Sequence, residues 1–385
     1  MTFEIHGVCE PAFTALKDAL AANCADGLEI GASVAACVGG RPVVDLWAGY
    51  ADLEHTRPWE RDTIVVLNSA TKIPLLICIL MLADRGLIAL DAPVAEYWPA
   101  FGANGKERVT IRDLLTHRGG VPALDPPASF EDHFDWEKIT ARIAAEPHWF
   151  GGEGRIAYSP THSGFILGEV MHRVDGRPAP RFLREELAGP AGIDLQIGIH
   201  DPKDLERLAA PNNAAPKEAP NFTPLSLRIM QGIPSGGEWT WERLNHEHNW
   251  ASALGFGNGR TLARLGAIIA NGGMLDGVRY LSEAMAREVR TEQAFGDEPL
   301  FGSMRLGLIV TLDQPAFRLP SPTSCYWGGG GGSLCVMDPR TGFSFGFAMN
   351  NFIMGGLGEG VRVQRFWAAL SGILADLPDA PSWHG

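Results

Sequence analysis

No stretch of this chain is apolar for long enough to cross a bilayer. The most apolar run, Ile73 to Leu82, is about ten residues, half of the ~20 that a spanning helix needs. The N-terminus, Met1-Thr2-Phe3-Glu4-Ile5-His6-Gly7, lacks a basic segment followed by an apolar one, so no secretory signal is expected. Positive charge is scarce as well: 32 Lys and Arg against 45 Asp and Glu leave a net charge of −13, with no basic stripe. That balance argues against binding nucleic acid or an anionic membrane surface. The six cysteines, Cys9, Cys24, Cys37, Cys78, Cys325 and Cys335, show no C-x-x-C spacing. They fit reduced thiols in a cytoplasmic protein and make disulfides or zinc poor expectations. No internal repeat of the kind that builds solenoids is present.

What remains is a chain of 385 residues, 45% hydrophobic and 20% charged, the profile of a soluble enzyme with one large domain carrying an insertion, or two domains. Residues 11 to 22 place apolar side chains at helical spacing. Extended runs follow over Gly31–Val38 and Pro42–Trp47, with Gly39-Gly40-Arg41 as a hairpin turn between them. From about 86 to 234 the chain reads as helical and loop-rich, including a helix that Thr110 caps with Asp113 at the capping-box position. Beyond 255 the spacing predicts helices over Thr261–Ala270, Ser282–Arg290 and Val361–Ala375, and strands over Met304–Val310, Ser333–Met337 and Ser344–Met349. Strands at both ends with helices between them predict an α+β fold. Its sheet is built from 1–85 and 235–385, a mainly helical domain spans 86–234, and the active site lies between them.

The most informative residues are Ser69-Ala70-Thr71-Lys72, set between the extended run Thr63-Ile64-Val65-Val66-Leu67 and the apolar helix that follows. A serine hydroxyl is too weak an acid to attack a carbonyl unaided. A lysine three residues on lies one helical turn away on the same face, and burial can lower its pKa enough to make it a base. S-x-x-K also recurs by chance, and a serine that caps a helix is often followed by a solvated lysine. Two further features bear on the choice. Tyr158 stands in a glycine- and proline-bounded loop before a helix over Gly164–Val174. It is either a ring packed under a loop or a phenol whose pKa a neighbouring ammonium lowers, so that it shuttles a proton. Tyr326-Trp327-Gly328-Gly329-Gly330-Gly331-Gly332-Ser333 leads into the strand from Leu334. It is either a flexible hinge or a segment whose bare N–H groups face a developing oxyanion.

The order of these three features, with Leu114-Leu115-Thr116-His117-Arg118-Gly119-Gly120-Val121-Pro122, Gly168-Glu169-Val170 and Gly331-Gly332-Ser333 leading to Asp338-Pro339 and Asn350, resembles the serine β-lactamase-like superfamily. Within it, the chain is most similar to the family VIII carboxylesterases, which look like class C β-lactamases. The resemblance runs from about residue 10 to 375. It implies Ser69 as nucleophile, Lys72 and Tyr158 as general base and acid, and the Ser69 and Gly330 amides as oxyanion hole. It also implies that Trp327-Gly328-Gly329 lines the substrate where related enzymes have Lys-Thr-Gly. Tyr158-Ser159-Pro160 departs from the Tyr-x-Asn pattern, and Trp327 replaces a lysine that would meet a carboxylate. Both departures favour neutral esters over β-lactams, and the function expected is hydrolysis of short-chain carboxylic esters through an acyl-enzyme on Ser69, without metal or organic cofactor. The alternatives on the same fold are a β-lactamase, a D-aminopeptidase or a linear-amide hydrolase, and more remotely an inactive binding protein.

Other features carry bland expectations. Gly342-Phe343-Ser344-Phe345-Gly346 matches the G-x-S-x-G elbow of α/β-hydrolases, but Phe343, Phe345 and Phe347 alternate as one strand and the sole later histidine is His384. Ser344 is therefore expected to be structural. His246 and His248 read as a surface loop rather than a metal site, and His117 as a capping or buried, hydrogen-bonded histidine.

Overall fold

The computed structural model describes residues 3–214, 222–353 and 360–380. Its centre is a nine-stranded sheet: β1 (Ile5–Cys9), β2 (Gly31–Val38), β3 (Arg41–Gly49), β4 (Ala294–Glu298), β5 (Gly302–Leu306), β6 (Thr311–Leu312), β7 (Cys325–Gly328), β8 (Leu334–Asp338) and β9 (Phe343–Met349). The order is β1-β3-β2-β9-β8-β7-β6-β5-β4, with every neighbouring pair antiparallel. The two halves of the sheet come from the two ends of the chain and meet where β2 pairs with β9, from Val38↔Phe343 to Ala32↔Met349. This is the α+β architecture expected from the sequence.

Both faces of the central strands are covered, and the side chains of β9 show how. Phe345 and Phe347 lie against Phe366 of helix α5 (Val361–Asp376), at ring-centroid distances of 5.3 and 4.8 Å. The alternate residues are small because helix α4 (Gly259–Ala270) closes on the other face. A Cβ at Gly346 would sit 2.0 Å from the Gly259 carbonyl oxygen, so only glycine fits there. Helix α1 (Thr14–Ala25) packs beside α5.

Between β3 and β4 the chain forms helices, including α2 (Lys72–Asp84) and α3 (His162–Asp175). Every residue of α2 from Lys72 to Leu82 is buried, as expected of a helix that is apolar all round. The short helix Ile111–Leu115 carries the expected capping box of Thr110 and Asp113. A small antiparallel sheet joins Val65–Val66 and Gln196–Ile197 to Gly255–Gly257. Among the described residues no helix is long and apolar enough to cross a membrane, and all six cysteines are free thiols.

Several elements differ from expectation, three of them near the site or its supports. The strand expected over Met304–Val310 ends at Leu306, because the chain turns there with a Gly307 N–H to Val310 bond of 2.9 Å and Ile309 at φ 67°. The helix expected from Ser282 begins one residue later, since Ser282 caps it by accepting from the Met285 amide at 3.1 Å. Cys325–Gly328 is itself a strand, so the glycine run forms the turn of the β7–β8 hairpin rather than a lead into a single strand.

Candidate active site

Ser69 sits in a single 3-10 turn, Asn68–Thr71, that runs straight into α2. The turn is anchored on two sides. Thr71 Oγ1 donates to the Asn68 carbonyl at 2.6 Å and accepts from the Gly255 amide at 2.9 Å, and the Leu67 amide donates back to the Gly255 carbonyl at 2.8 Å. Asn68 adopts φ 49°, a left-handed conformation that asparagine tolerates better than most residues. From there its Nδ2 donates to the Gly330 carbonyl at 2.7 Å. The Ser69 turn and the glycine turn are thus tied together.

Because Lys72 is the first residue of a fully buried helix, its amine is buried too, at 0% exposure. Nζ lies 3.1 Å from the Tyr158 hydroxyl, 2.8 Å from the Pro160 carbonyl and 3.2 Å from the Ser252 carbonyl. Burial lowers its pKa from 10.5 to about 7, since taking a charge out of water favours the neutral form. Among the described residues Nζ makes no direct hydrogen bond to Ser69. The path runs through Tyr158, whose hydroxyl is 2.5 Å from Ser69 Oγ. Burial pushes the phenol above its ordinary value, outweighing the opposing effect of its hydrogen bond with Ser69. A phenol acidified by an ammonium, as read from the sequence, is not what the site contains.

The loop carrying Tyr158 is held by a residue that the sequence did not single out. Glu298, at the end of the edge strand β4 and 3% exposed, accepts the Tyr158 amide at 2.8 Å through Oε1. Its Oε2 accepts the amides of Leu300 and Phe301 at 2.6 and 2.8 Å. Burial raises its pKa, opposed by these three amide bonds. Phe301 in turn packs edge-on to the Tyr158 ring at 5.3 Å. Pro160, where the related pattern has asparagine, contributes its carbonyl to Lys72, and Ser159 Oγ accepts the Ser163 amide at 2.9 Å near the start of α3.

Trp327 is wholly buried, its ring near those of His117 and Tyr158 at 5.6 and 5.9 Å. Its indole N–H donates to the Ser69 carbonyl at 3.0 Å. The indole N–H is therefore engaged with the Ser69 backbone. Gly329 must be glycine, for a Cβ there would lie 2.2 Å from the Leu67 carbonyl oxygen and 2.3 Å from Ser333 Oγ. Ser333 Oγ donates to that Leu67 carbonyl at 2.9 Å. Gly330 follows on the exposed side of the turn.

His117 is buried, with both ring nitrogens lacking a hydrogen-bond partner among the described residues. Its pKa falls to about 3, from burial first and the nearby Lys72 charge second. It is a neutral wall beside Tyr158, 4.9 Å between ring centroids, and not the hydrogen-bonded histidine expected. Ser344 lies in β9, fully buried, and donates to the Ala263 carbonyl at 2.7 Å, which is a structural role. His384 lies outside the described residues. His248 stacks on Trp136 at 4.7 Å and meets His172 edge-on at 5.5 Å.

Known proteins resemble this chain over most of its length. The Beta-lactamase family model matches residues 18–361. The esterase/beta-lactamase LipL of Mycobacterium tuberculosis is 31% identical over 379 residues, covering 91% of this chain and 83% of its own. The esterase EstB of Burkholderia gladioli is 30% identical over 322 residues, covering 77% and 79%. Among solved structures, a family VIII carboxylesterase superposes with a TM-score of 0.86 at 33% identity, covering 96% of this chain and all of the other.

Proposed function

Starting from the fact that this chain belongs to the beta-lactamase family, we propose that it is a serine carboxylesterase that hydrolyses short-chain, neutral esters through an acyl-enzyme on Ser69. The observation that carries the reading is the continuous chain Ser69 Oγ, Tyr158 OH, Lys72 Nζ, with steps of 2.5 and 3.1 Å. When Lys72 is neutral, its two N–H bonds satisfy the Pro160 and Ser252 carbonyls and its lone pair faces the phenol. Ser69 then attacks the ester carbonyl carbon. Its proton passes to the Tyr158 oxygen as the Tyr158 proton passes to Lys72, so the phenol relays without becoming a phenolate. As the tetrahedral intermediate collapses, the bond to the alkoxy oxygen breaks and the relay runs backwards to protonate the departing alcohol. Water repeats the sequence and releases the acid.

The amides of Ser69 and Gly330 would hold the oxyanion, each contributing about 2.7–4 kcal/mol to the transition state. Gly328 and Gly329 would flank the acyl group, while Trp327 fixes the Ser69 carbonyl. The substrate would enter between the sheet domain of 1–85 and 235–385 and the helical domain of 86–234. The similarity to a relative named esterase/beta-lactamase supports a second reading, a lactam or amide hydrolase. Pro160 and the engaged indole of Trp327 count against it, since neither offers a side-chain donor or cation to such a substrate.

Replacing Ser69 with alanine is expected to abolish hydrolysis of p-nitrophenyl butyrate, while Ser344→Ala retains most of it. Retained turnover in Ser69→Ala would overturn the proposal. Running a chromogenic cephalosporin beside the ester decides between the two readings, with ester turnover expected to dominate.

A further inference from the structure

Five consecutive glycines bring no side chains of their own to hold a conformation. Gly331 and Gly332, at φ 94° and 122°, occupy backbone that glycine alone adopts freely. Inside the turn the Gly329 amide donates to the Ser333 carbonyl at 2.9 Å and the Gly332 amide to the Gly329 carbonyl at 3.0 Å. An oxyanion donor must nevertheless stand within a fraction of an ångström of its place to be effective. The rigidity has to come from outside the turn.

From the nucleophile side it comes from Asn68, already described. From behind it comes from Arg362, in the first turn of α5 and only 5% exposed. Its Nη1 donates to the Gly331 carbonyl at 2.9 Å, and its Nη2 donates to the Asn351 carbonyl at 2.9 Å and to the Leu28 carbonyl. Nε lies 2.8 Å from Oε1 of Glu29, an ion-pair distance without hydrogen-bond alignment; Glu29 is 3% exposed and stands just before β2. The planar fork of a guanidinium suits several acceptors at fixed angles in a way that a lysine ammonium does not. A buried ion pair adds little net stability over an apolar pair of similar volume, because desolvation offsets the attraction. Its value here lies in where the fork points.

We propose that Arg362, held by Glu29, is a positioning residue for ester hydrolysis: it fixes the Gly331 carbonyl and thereby the chain that presents the Gly330 amide to the substrate oxyanion. The inference rests on the reading of Gly330 as an oxyanion donor. It involves no contact between Arg362 and substrate.

The test uses the full chain carrying Arg362→Lys, which keeps a cation for Glu29 but loses the fork, and the apolar double replacement Glu29→Leu with Arg362→Met. Rates are expressed per serine labelled by a fluorophosphonate, so that only folded sites count. Both variants are expected to lose about tenfold or more in kcat/KM for p-nitrophenyl butyrate, the scale of a small misplacement of catalytic groups. Affinity for an alkyl boronic acid, whose tetrahedral adduct uses the oxyanion hole, should fall in the same proportion, while inhibition by the product alcohol stays unchanged. Normalised kcat/KM and boronate affinity equal to wild type in either variant would overturn the proposal, as would equal losses of alcohol and boronate binding. If instead the unaltered protein hydrolyses no ester through Ser69, the underlying esterase reading is what fails.

Discussion

In the proposed relay Lys72 is the base, and its position explains its protonation. A lysine on a solvated helix would stay charged across the physiological range, whereas this one begins a helix with no wet face. With a pKa near 7, it is half neutral at neutral pH, and only the neutral form can take the proton from Ser69. The expected pH profile of kcat/KM therefore rises through about 7 and levels above it, with no falling limb from Tyr158, whose phenol burial keeps protonated. A flat profile between pH 5 and 9 in a stopped-flow ester assay would contradict this assignment. The sign for stability follows from the same residue. The folded protein binds this proton less tightly than the unfolded chain, so the Lys72 contribution is constant below about 7 and grows more favourable from there to 10.5.

At the scale of elements, the site depends on an edge strand far from Ser69 in sequence. Glu298 satisfies three amides with two oxygens, so Glu298→Gln must turn a donor toward at least one of them. The expected result is a loss of about 1–3 kcal/mol in stability, read by urea unfolding, together with a fall in kcat as Tyr158 shifts. Unchanged kcat in a destabilised variant would confine Glu298 to a structural role.

This dependence also marks where sequence reasoning stops. Gly31–Val38 and Ser344–Met349 were legible because each is an uncharged run, bounded by turn residues and buried on both faces, and the order of Ser69, Lys72 and Tyr158, side chains that hydrogen bonds link here, was distinctive. Glu298 was not, since Gly296-Asp297-Glu298-Pro299 has the composition of an exposed turn, and only tertiary contact buries it. β1 was missed for a similar reason: His6, Gly7 and Val8 are exposed on the sheet edge and give no burial pattern. Trp327 was read as facing the substrate because nothing in its neighbours says that the Ser69 carbonyl will take its N–H.

Across the whole molecule, the sheet and α4 are in backbone contact, and the alternation of phenylalanine with small residues on β9 is the means. Gly346→Ala is expected to force α4 away from the sheet, since its Cβ would meet the Gly259 oxygen at 2.0 Å and the Ala263 nitrogen at 2.4 Å. Overpacking of this kind costs about 1–3 kcal/mol or more. A melting temperature equal to that of the parent would show that α4 can yield.

The pairing of β2 with β9 has a further consequence, for the order of events in the cell. β2 and β3 leave the ribosome well before the partner of β2, which ends at Met349, and before the helix covering that face, which ends at Asp376. At about 5–20 residues per second, the N-terminal hairpin waits on the order of tens of seconds with its inner edge unpaired. Helix α2 is covered sooner, by α3, residues 183–188 and α4. The Ser69 turn meets its glycine partner only once residues 328–333 have been made.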